Sequence, residues 1–403
     1  MGHRSQAGRF VIVQSSRAIP RNRPAHKMHL LCIILLLLHL SKVFSTNNSF
    51  LYSFSPNDGF GPIKDEDGFA FLTSFTQKYI YDHQHPSACS PESMVKAAAW
   101  PTGMGSEMHV LGSQLAQALN QGKVLVIDSS SCSFAQGQYC GSVKGCDCFF
   151  RPVSFCSPNH TTLAKLPFVC KSGVAHCDQF AIPSILSSEL RRLYPAMKDD
   201  EILYWWRMQS ASYLMRLNQR TLDAVRSFRT NPNMHYFSKG FEFPLRPGAI
   251  HIHVRGSKSN KENEMDVKSA AHFFDLALKL VRAMPNSFSR TLIITSDDSE
   301  AIDAALRITK ENKWDVVFSH IERLKGGFSM DDGNKTVKLQ QKDKSLLTIE
   351  HLSQLLLALE ASAWIGHRGS NWNRIIDELR CVWVPKCSNT YIEGGQNDFA
   401  WRR

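Results

Sequence analysis

The chain has 403 residues, 43% hydrophobic and 21% charged, which is long enough for two domains of ordinary size. Its formal net charge is +11, but residues 1–27 hold Arg4, Arg9, Arg17, Arg21, Arg23 and Lys27 and no acid, leaving +5 for everything after them. A nucleic-acid-binding protein needs a basic stripe in its folded part; none is visible, so no nucleic-acid partner is expected.

Residues 28–40 (MHLLCIILLLLHL) form the one strongly apolar run. It is shorter than the roughly 20 residues of a spanning helix, which suits a signal-peptide core, and Val43-Phe44-Ser45 offers a cleavage region. The basic flank favours instead an uncleaved signal anchor, a type II membrane protein with a cytosolic N-terminus. Either way residues 1–45 read as a leader that sends the rest to the ER or Golgi lumen, anchored, or cleaved and lumenal or secreted. The cysteines agree. Of eleven, Cys32 lies in the apolar run; Cys89, Cys132, Cys140, Cys146, Cys148, Cys156, Cys170, Cys177, Cys381 and Cys387 make an even set suited to disulfides. Cys381 and Cys387 are near enough to pair locally, whereas connectivity among the other eight is open. Cys146-Asp147-Cys148 imitates a zinc-ligand pair, but at irregular spacing. Sequons at Asn47, Asn159 and Asn334 fit a lumenal glycoprotein.

Residues 46–95, rich in Ser, Asn, Asp, Pro and Gly, read as stem and loops, with Asp65-Glu66-Asp67 a solvated loop. Residues 96–240 read as an N-terminal α/β lobe with a cysteine-rich insert over 129–180. Gly103-Met104-Gly105 opens a helix with Met108, Leu111, Leu115 and Leu119 at helical spacing, and 123–128 is a buried strand. Residues 183–230 read as helical, with Tyr204, Trp205, Trp206 and Tyr213 as core bulk. A turn-rich linker over 230–248 precedes a C-terminal lobe, 241–403. There strand and helix alternate: strand 249–254, helix 267–284, strand 291–295, a helix from Ser299, strand 316–318 and a helix over 345–361. The apolar stripe of that last helix is Leu346, Ile349, Leu352, Leu356 and Leu359. A strand–turn–helix junction over 364–374 follows, its helix with Ile375, Ile376 and Leu379 inward and Asp377, Glu378 and Arg380 outward. Val382-Trp383-Val384 is a candidate last strand. The alternation predicts a doubly wound, mostly parallel sheet.

Chemistry concentrates at strand ends. His251-Ile252-His253-Val254-Arg255 delivers Arg255 to the edge where a parallel sheet places its ligand crevice. A guanidinium there can hold a diphosphate and neutralise a leaving group, or pair with Asp297 or Asp298. His253 shares its side of the strand, next to a base or phosphate or as core filler. In Ser296-Asp297-Asp298-Ser299 one aspartate is expected to cap the following helix and the other is left open. Gly369-Ser370-Asn371 points backbone N–H groups and a helix dipole at one spot, which suits a phosphate. The loop after Arg255, with Lys258, Lys261, Glu262, Glu264 and Asp266, is a source of a general base for an acceptor hydroxyl.

In their order these motifs resemble the α-1,6-fucosyltransferases of glycosyltransferase family 23 and the related rhizobial chitin-oligosaccharide fucosyltransferases. The likeness runs over about residues 100–385. Its carriers are Gly103-Met104-Gly105-Ser106-Glu107-Met108-His109, Phe149-Phe150-Arg151-Pro152, Tyr204-Trp205-Trp206, His253-Val254-Arg255, Thr295-Ser296-Asp297-Asp298 and Gly369-Ser370-Asn371-Trp372-Asn373-Arg374. The resemblance implies a GT-B-like fold of two Rossmann-type lobes and inverting transfer of fucose from GDP-fucose to a glycan or glycoprotein acceptor, with no metal or other cofactor. It implies that Arg255 binds the β-phosphate and that Gly103, Met104, Gly105, Ser370 and Asn371 line the nucleotide. It puts His253 by the base or ribose, Asp297 and Asp298 in the donor site, Lys258 in the place of a family lysine, and Glu264 or Glu262 as acceptor base. The chain also departs from the family. Gly256 and Ser257 stand where a second Arg and an Asp usually follow the first Arg. Gln354 stands where an Asp reads guanine, unless Glu350 one turn earlier does so. An amide accepts from two guanine N–H groups less well than a carboxylate. The altered loop keeps open a catalytically silent member that binds glycan or nucleotide.

Overall fold

The computed structural model describes residues 69–97, 103–127, 131–132, 134–156, 163–166, 181–230, 243–255, 268–321, 323, 343–384, 386–387 and 389–395. The leader, Asp65-Glu66-Asp67, the three sequons, Cys170, Cys177, Lys258, Glu262 and Glu264 lie outside them. Among the described residues no helix is long and apolar enough to cross a membrane.

The first part comprises helix α1 (Phe69–Gln84), strand β1 (Met94–Lys96), helix α2 (Met104–Asn120), strand β2 (Val124–Val126) and helices α3 (Ser184–Leu193), α4 (Asp199–Leu214) and α5 (Gln219–Thr230). Strands β1 and β2 pair in parallel. Residues 69–84, expected within stem and loops, are instead helical. Leu72 and Ile80 of that helix enter the main core, and Gln77 donates to the Gln209 carbonyl on α4 at 2.9 Å. The composition of 46–95 hides this, because the apolar residues that make the helix are diluted by the turn-rich sequence around them.

The second part runs β3 (Ile250–Val254), α6 (Ala270–Ala283), β4 (Thr291–Ser296), α7 (Ser299–Glu311), β5 (Asp315–Val317), α8 (Lys344–Leu359), β6 (Ala363–Gly366), α9 (Asn371–Val382) and β7 (Tyr391–Glu393). Local chemistry starts these helices: Ser269, Asp298 and Asp343 each accept a backbone N–H of the first turn of α6, α7 and α8. The sheet order is β5-β4-β3-β6-β7, and every pair is parallel. This is the expected doubly wound sheet. All five residues of β3 are buried, as befits a central strand covered on both faces. Val382-Trp383-Val384 is not a strand: α9 runs through Val382, Trp383 caps it, and the last described strand is β7. A short apolar run cannot tell a buried strand from a buried helix end. In the α8 stripe Leu346 is exposed, whereas Ile349, Leu352, Leu356 and Leu359 are buried.

Two large apolar cores result among the described residues, beside a small cluster of Met94, Val124, Val126, Cys156 and Leu163. One lies between β3, β4, β6, α6 and α7. The other joins Leu111, Trp205, Trp206 and Tyr213 of the first part to Leu352, Leu355, Ile375 and Leu379 of α8 and α9. Helix α9 is therefore enclosed, and its polar face does not meet water: Asp377 and Glu378 are 0% exposed and Arg380 is 4% exposed. The outward placing expected for these three fails because protein partners, not solvent, satisfy the polar stripe. Glu378 Oε2 lies 3.0 Å from His109 Nε2 on α2, and Glu378 Oε1 lies 3.0 Å from Arg207 Nε on α4. Asp377 accepts from the Tyr204 hydroxyl at 2.7 Å, Arg380 Nε at 2.7 Å and Arg368 Nε at 2.8 Å.

Among the described residues four disulfides are present: Cys89–Cys156, Cys132–Cys146, Cys140–Cys148 and Cys381–Cys387. The local pair is as expected, and Cys146 and Cys148 are each committed to a disulfide. Removing one partner of a buried ion pair strands the other charge, a loss of about 3–5 kcal/mol. Glu378→Ala is accordingly expected to destabilise the fold by that much, read from the urea midpoint. A loss under about 1 kcal/mol would show that α9 does not depend on the cluster.

Candidate functional site

Strand order decides where a crevice opens. The chain builds outward from β3 through β4 to β5, then crosses back through α8 to place β6 on the other side of β3. The reversal lies between β3 and β6, and loops leaving neighbouring strands there diverge and leave room for a ligand at their C-terminal ends. Ile252 is paired with Ile365, so Arg255 and the 367–371 loop leave the sheet side by side, from strands about 4.8 Å apart.

Around the end of β3 a cluster of charged and ring side chains assembles. His251 Nε2 and His253 Nδ1 both meet the Thr295 hydroxyl, at 2.8 and 2.9 Å, which fixes both rings. Burial lowers the pKa of His253; Asp297 opposes that shift, and Arg255 and His351 add to it. His351, on α8, is lowered to about 4 by burial, with Asp297 opposing and Arg323 reinforcing. Asp297 thus faces two imidazoles that stay neutral at physiological pH, and Arg255 and Arg323 act on one imidazole each. Asp298 is engaged elsewhere, since its Oδ1 accepts the Glu300 N–H at 3.0 Å and caps α7. The structure therefore divides the aspartate pair, with Asp298 at the helix cap and Asp297 toward the histidines.

The second half of the site is a meeting of helix ends. Gly103 opens α2 and Ser370 opens α9, and neither start has a side-chain cap. The two first turns touch. A Cβ on Gly105 would stand 3.1 Å from the Asn371 backbone carbonyl carbon and oxygen, so glycine permits the approach. The Asn371 side-chain amide bridges to Ser106 Oγ at 2.6 Å and to His109 Nδ1 at 2.9 Å. Met104 is buried beside this contact. Free N–H groups of two first turns give the spot a positive potential that suits phosphate oxygens.

The 366–371 loop is held from several sides. The Arg368 N–H donates to Glu393 at 3.1 and 3.2 Å, and the Gly395 N–H donates to Glu393 at 3.1 Å. Arg374 donates to the Arg368 and Gly369 carbonyls at 2.7 and 3.2 Å. Gln354 lies on α8 one turn beyond His351. It is buried, and its Nε2 has no hydrogen-bond partner among the described residues. Among the described residues no group of three or more His, Cys, Asp or Glu is arranged to hold a metal ion.

Of the residues singled out in sequence, Gly105 and Asn371 are thus in contact, and His253, Arg255 and Asp297 share one neighbourhood. Lys258, Glu262 and Glu264 lie outside the described residues. His351, Arg323 and Glu393 were not anticipated. Each is a single polar residue without a motif, and only the fold brings it to the sheet edge.

No family model matches the chain, and no curated protein matches it in sequence. Among solved structures it is similar to a variant of Arabidopsis thaliana FUT1 in complex with GDP, at 12% identity over 77% of this chain and 73% of that one, TM-score 0.37. It is similar to the fucosyltransferase NodZ from Bradyrhizobium, at 15% identity over 73% and 93%, TM-score 0.38. A further similarity is to POFUT1 in complex with GDP-fucose, at 9% identity over 77% and 100%, TM-score 0.37.

The buried imidazoles predict acid sensitivity. His109 is lowered to about 4 by burial and Arg207, against the pull of Glu378, and His351 also lies at about 4. Unfolded histidine titrates near 6.5, so between about 6.5 and 4 the unfolded chain binds more protons and stability falls as pH falls. Each such histidine contributes a slope of up to ~1.4 kcal/mol per pH unit. Glu378, held at about 2 because His109 and Arg207 outweigh its burial, extends the loss to lower pH with the same sign. Urea midpoints from pH 7.5 to 4.5 are expected to fall, and less steeply in His351→Gln. A flat profile would contradict the neutral state of these rings.

Proposed function

We propose that the protein is a glycosyltransferase that transfers fucose from GDP-fucose to a glycan or glycoprotein acceptor with inversion, in the manner of the α-1,6-fucosyltransferases, in the secretory lumen. The observation that carries this reading is the exit of Arg255 beside the 367–371 loop at the strand-order reversal, with two uncapped helix starts meeting at Asn371. Diphosphate oxygens would take N–H groups from those first turns. The Arg255 guanidinium would bind the β-phosphate, with two parallel hydrogen bonds available. As the glycosidic bond to phosphate breaks, negative charge grows on departing GDP, and a fixed guanidinium stabilises that charge most where it is largest. No metal is then required, because arginine takes the role a divalent ion has in other transferases. Glu264 or Glu262 would accept the proton of the attacking hydroxyl, and Lys258 belongs to the same loop. Asp297, His253 and Gln354 would order the nucleotide.

A second reading, a catalytically silent binder of nucleotide or glycan, is favoured by one feature: Gly256 and Ser257 occupy the places of an Arg and an Asp in the family the chain resembles. A donor screen over GDP and UDP sugars, reading released nucleotide, separates the two. Transfer or donor hydrolysis supports the enzyme, and binding without either supports the silent member.

Millimolar GDP is expected to raise the melting temperature of the purified protein, since a ligand that binds only the native state stabilises it by mass action. Arg255→Ala is expected to abolish that rise while leaving the ligand-free melting temperature within a few degrees. A melting curve indifferent to GDP would sink the donor assignment.

A further inference from the structure

Resting on the nucleotide-sugar reading, we propose that Gln354 reads the O6 and N1–H edge of the donor's purine base and not its 2-amino group, so that the site takes 6-oxopurine nucleoside diphosphates with or without that group.

Position is the first argument. Helix α8 connects β5 to β6 within a parallel sheet, so it descends from the C-terminal edge, where the crevice opens. His351 stands midway along it. Its ring centroid lies 6.1 Å from that of Trp372, the residue after Asn371, and Asp297, which follows β4, acts electrostatically on the same ring. This face of α8 therefore looks at both halves of the candidate site. Gln354 comes three residues later, hence on the same face and about 4.5 Å deeper. The path from the phosphate end at Asn371 runs past Trp372 and His351 to Gln354.

An unmet hydrogen bond is the second argument. Gln354 is 3% exposed, and its Nε2 has no hydrogen-bond partner among the described residues. The residue before it shows the contrast, since the Ser353 hydroxyl is satisfied within the helix by the Ile349 carbonyl at 2.8 Å. A buried donor left unpaired is costly, and an aliphatic side chain would fill the same space without that cost. A carboxamide presents a donor beside an acceptor. The edge of a 6-oxopurine presents the matching pair, O6 as acceptor and N1–H as donor. Nε2 would donate to O6, and Oε1 would accept from N1–H. The single amide oxygen is then used, and the 2-amino group of guanine is left unread. A carboxylate in this place has two oxygens and would accept from N1–H and the 2-amino group together.

Calorimetric titration of the purified protein tests this with GDP, with inosine diphosphate, which lacks only the 2-amino group, and with 1-methyl-GDP, which lacks the N1–H. The wild-type chain is expected to bind GDP and inosine diphosphate within about threefold of each other, and 1-methyl-GDP about 10-fold more weakly or worse. Gln354→Asp is expected to favour GDP over inosine diphosphate by about 10-fold, and Gln354→Leu to weaken both by about 10-fold alike. A wild-type preference for GDP over inosine diphosphate beyond about threefold overturns the inference, because the 2-amino group is then read. Equal binding of GDP and 1-methyl-GDP also overturns it, because the N1 edge is then not read. Both readings use the wild-type chain and stand even if the variants do not fold. Unchanged affinities in a folded Gln354→Leu overturn it as well. In all three cases GDP still binds, and the nucleotide-sugar reading survives. Binding of neither GDP nor inosine diphosphate by the wild-type chain defeats both.

Discussion

Two adjacent carboxylates on α9, Asp377 and Glu378, fix the geometry on which the candidate site depends. Consecutive helix residues point about 100° apart, so the pair faces two different neighbours. Glu378 is met by His109 of α2 and Arg207 of α4, and Asp377 by Tyr204 of α4 and by Arg368 and Arg380. A carboxylate buried without partners costs several kcal/mol. Both sets of partners are reached together in one placing of α9 against α2, α4 and the loop that precedes it. That placing also sets where the helix begins. Asn371 therefore meets Ser106 and His109 because charges about two turns along the same helix allow no other seating.

Around the sheet edge the charges are sorted as carefully. Burial keeps the imidazoles neutral, and neutral rings can pack against arginines without repelling them. Permanent charge is left to guanidinium groups, which do not titrate in the physiological range. Thr295 belongs to the same arrangement, since one hydroxyl holds two histidines in fixed orientation. With Asp298 occupied at the cap of α7, Asp297 is the aspartate of the pair that acts on the cluster. The outcome is a pair of imidazoles, His253 and His351, that stay neutral across the physiological pH range.

What the sequence discloses follows from which forces are local. Gly103, Asp298 and Ser370 are helix-start residues, and α2, α7 and α9 begin where they stand, whereas α6, expected from 267, begins only after Ser269. The alternation of strand and helix after residue 248 gives the parallel sheet, and the Gly-Ser-Asn turn gives the β6–α9 junction. The outward reading of Asp377, Glu378 and Arg380 fails because periodicity registers polarity, and a polar stripe looks the same whether water or buried partners satisfy it. Tyr204 and Arg207 give no sign, from their own surroundings, of facing a helix far downstream in the chain. Arg323 and His351 are equally silent, since only the fold brings Asp297 and Arg323 close enough to act on the His351 ring.

The contact between α2 and α9 is itself unfavourable in one respect. Each helix start carries a partial positive charge, and two such ends in contact repel. Gly105 lets them come closer than any side chain would, which sharpens the repulsion. Neither start offsets it with a capping side chain of its own. The arrangement persists because the ion pairs of Glu378 with Arg207 and of Asp377 with Arg380, the His109–Glu378 contact and the disulfide at the far end of α9 hold the helix in place. An anion placed between the two starts would relieve the repulsion and gain from both dipoles. A phosphate group at Asn371 would then bind to a site whose positive potential was set during folding, with no rearrangement needed to create it.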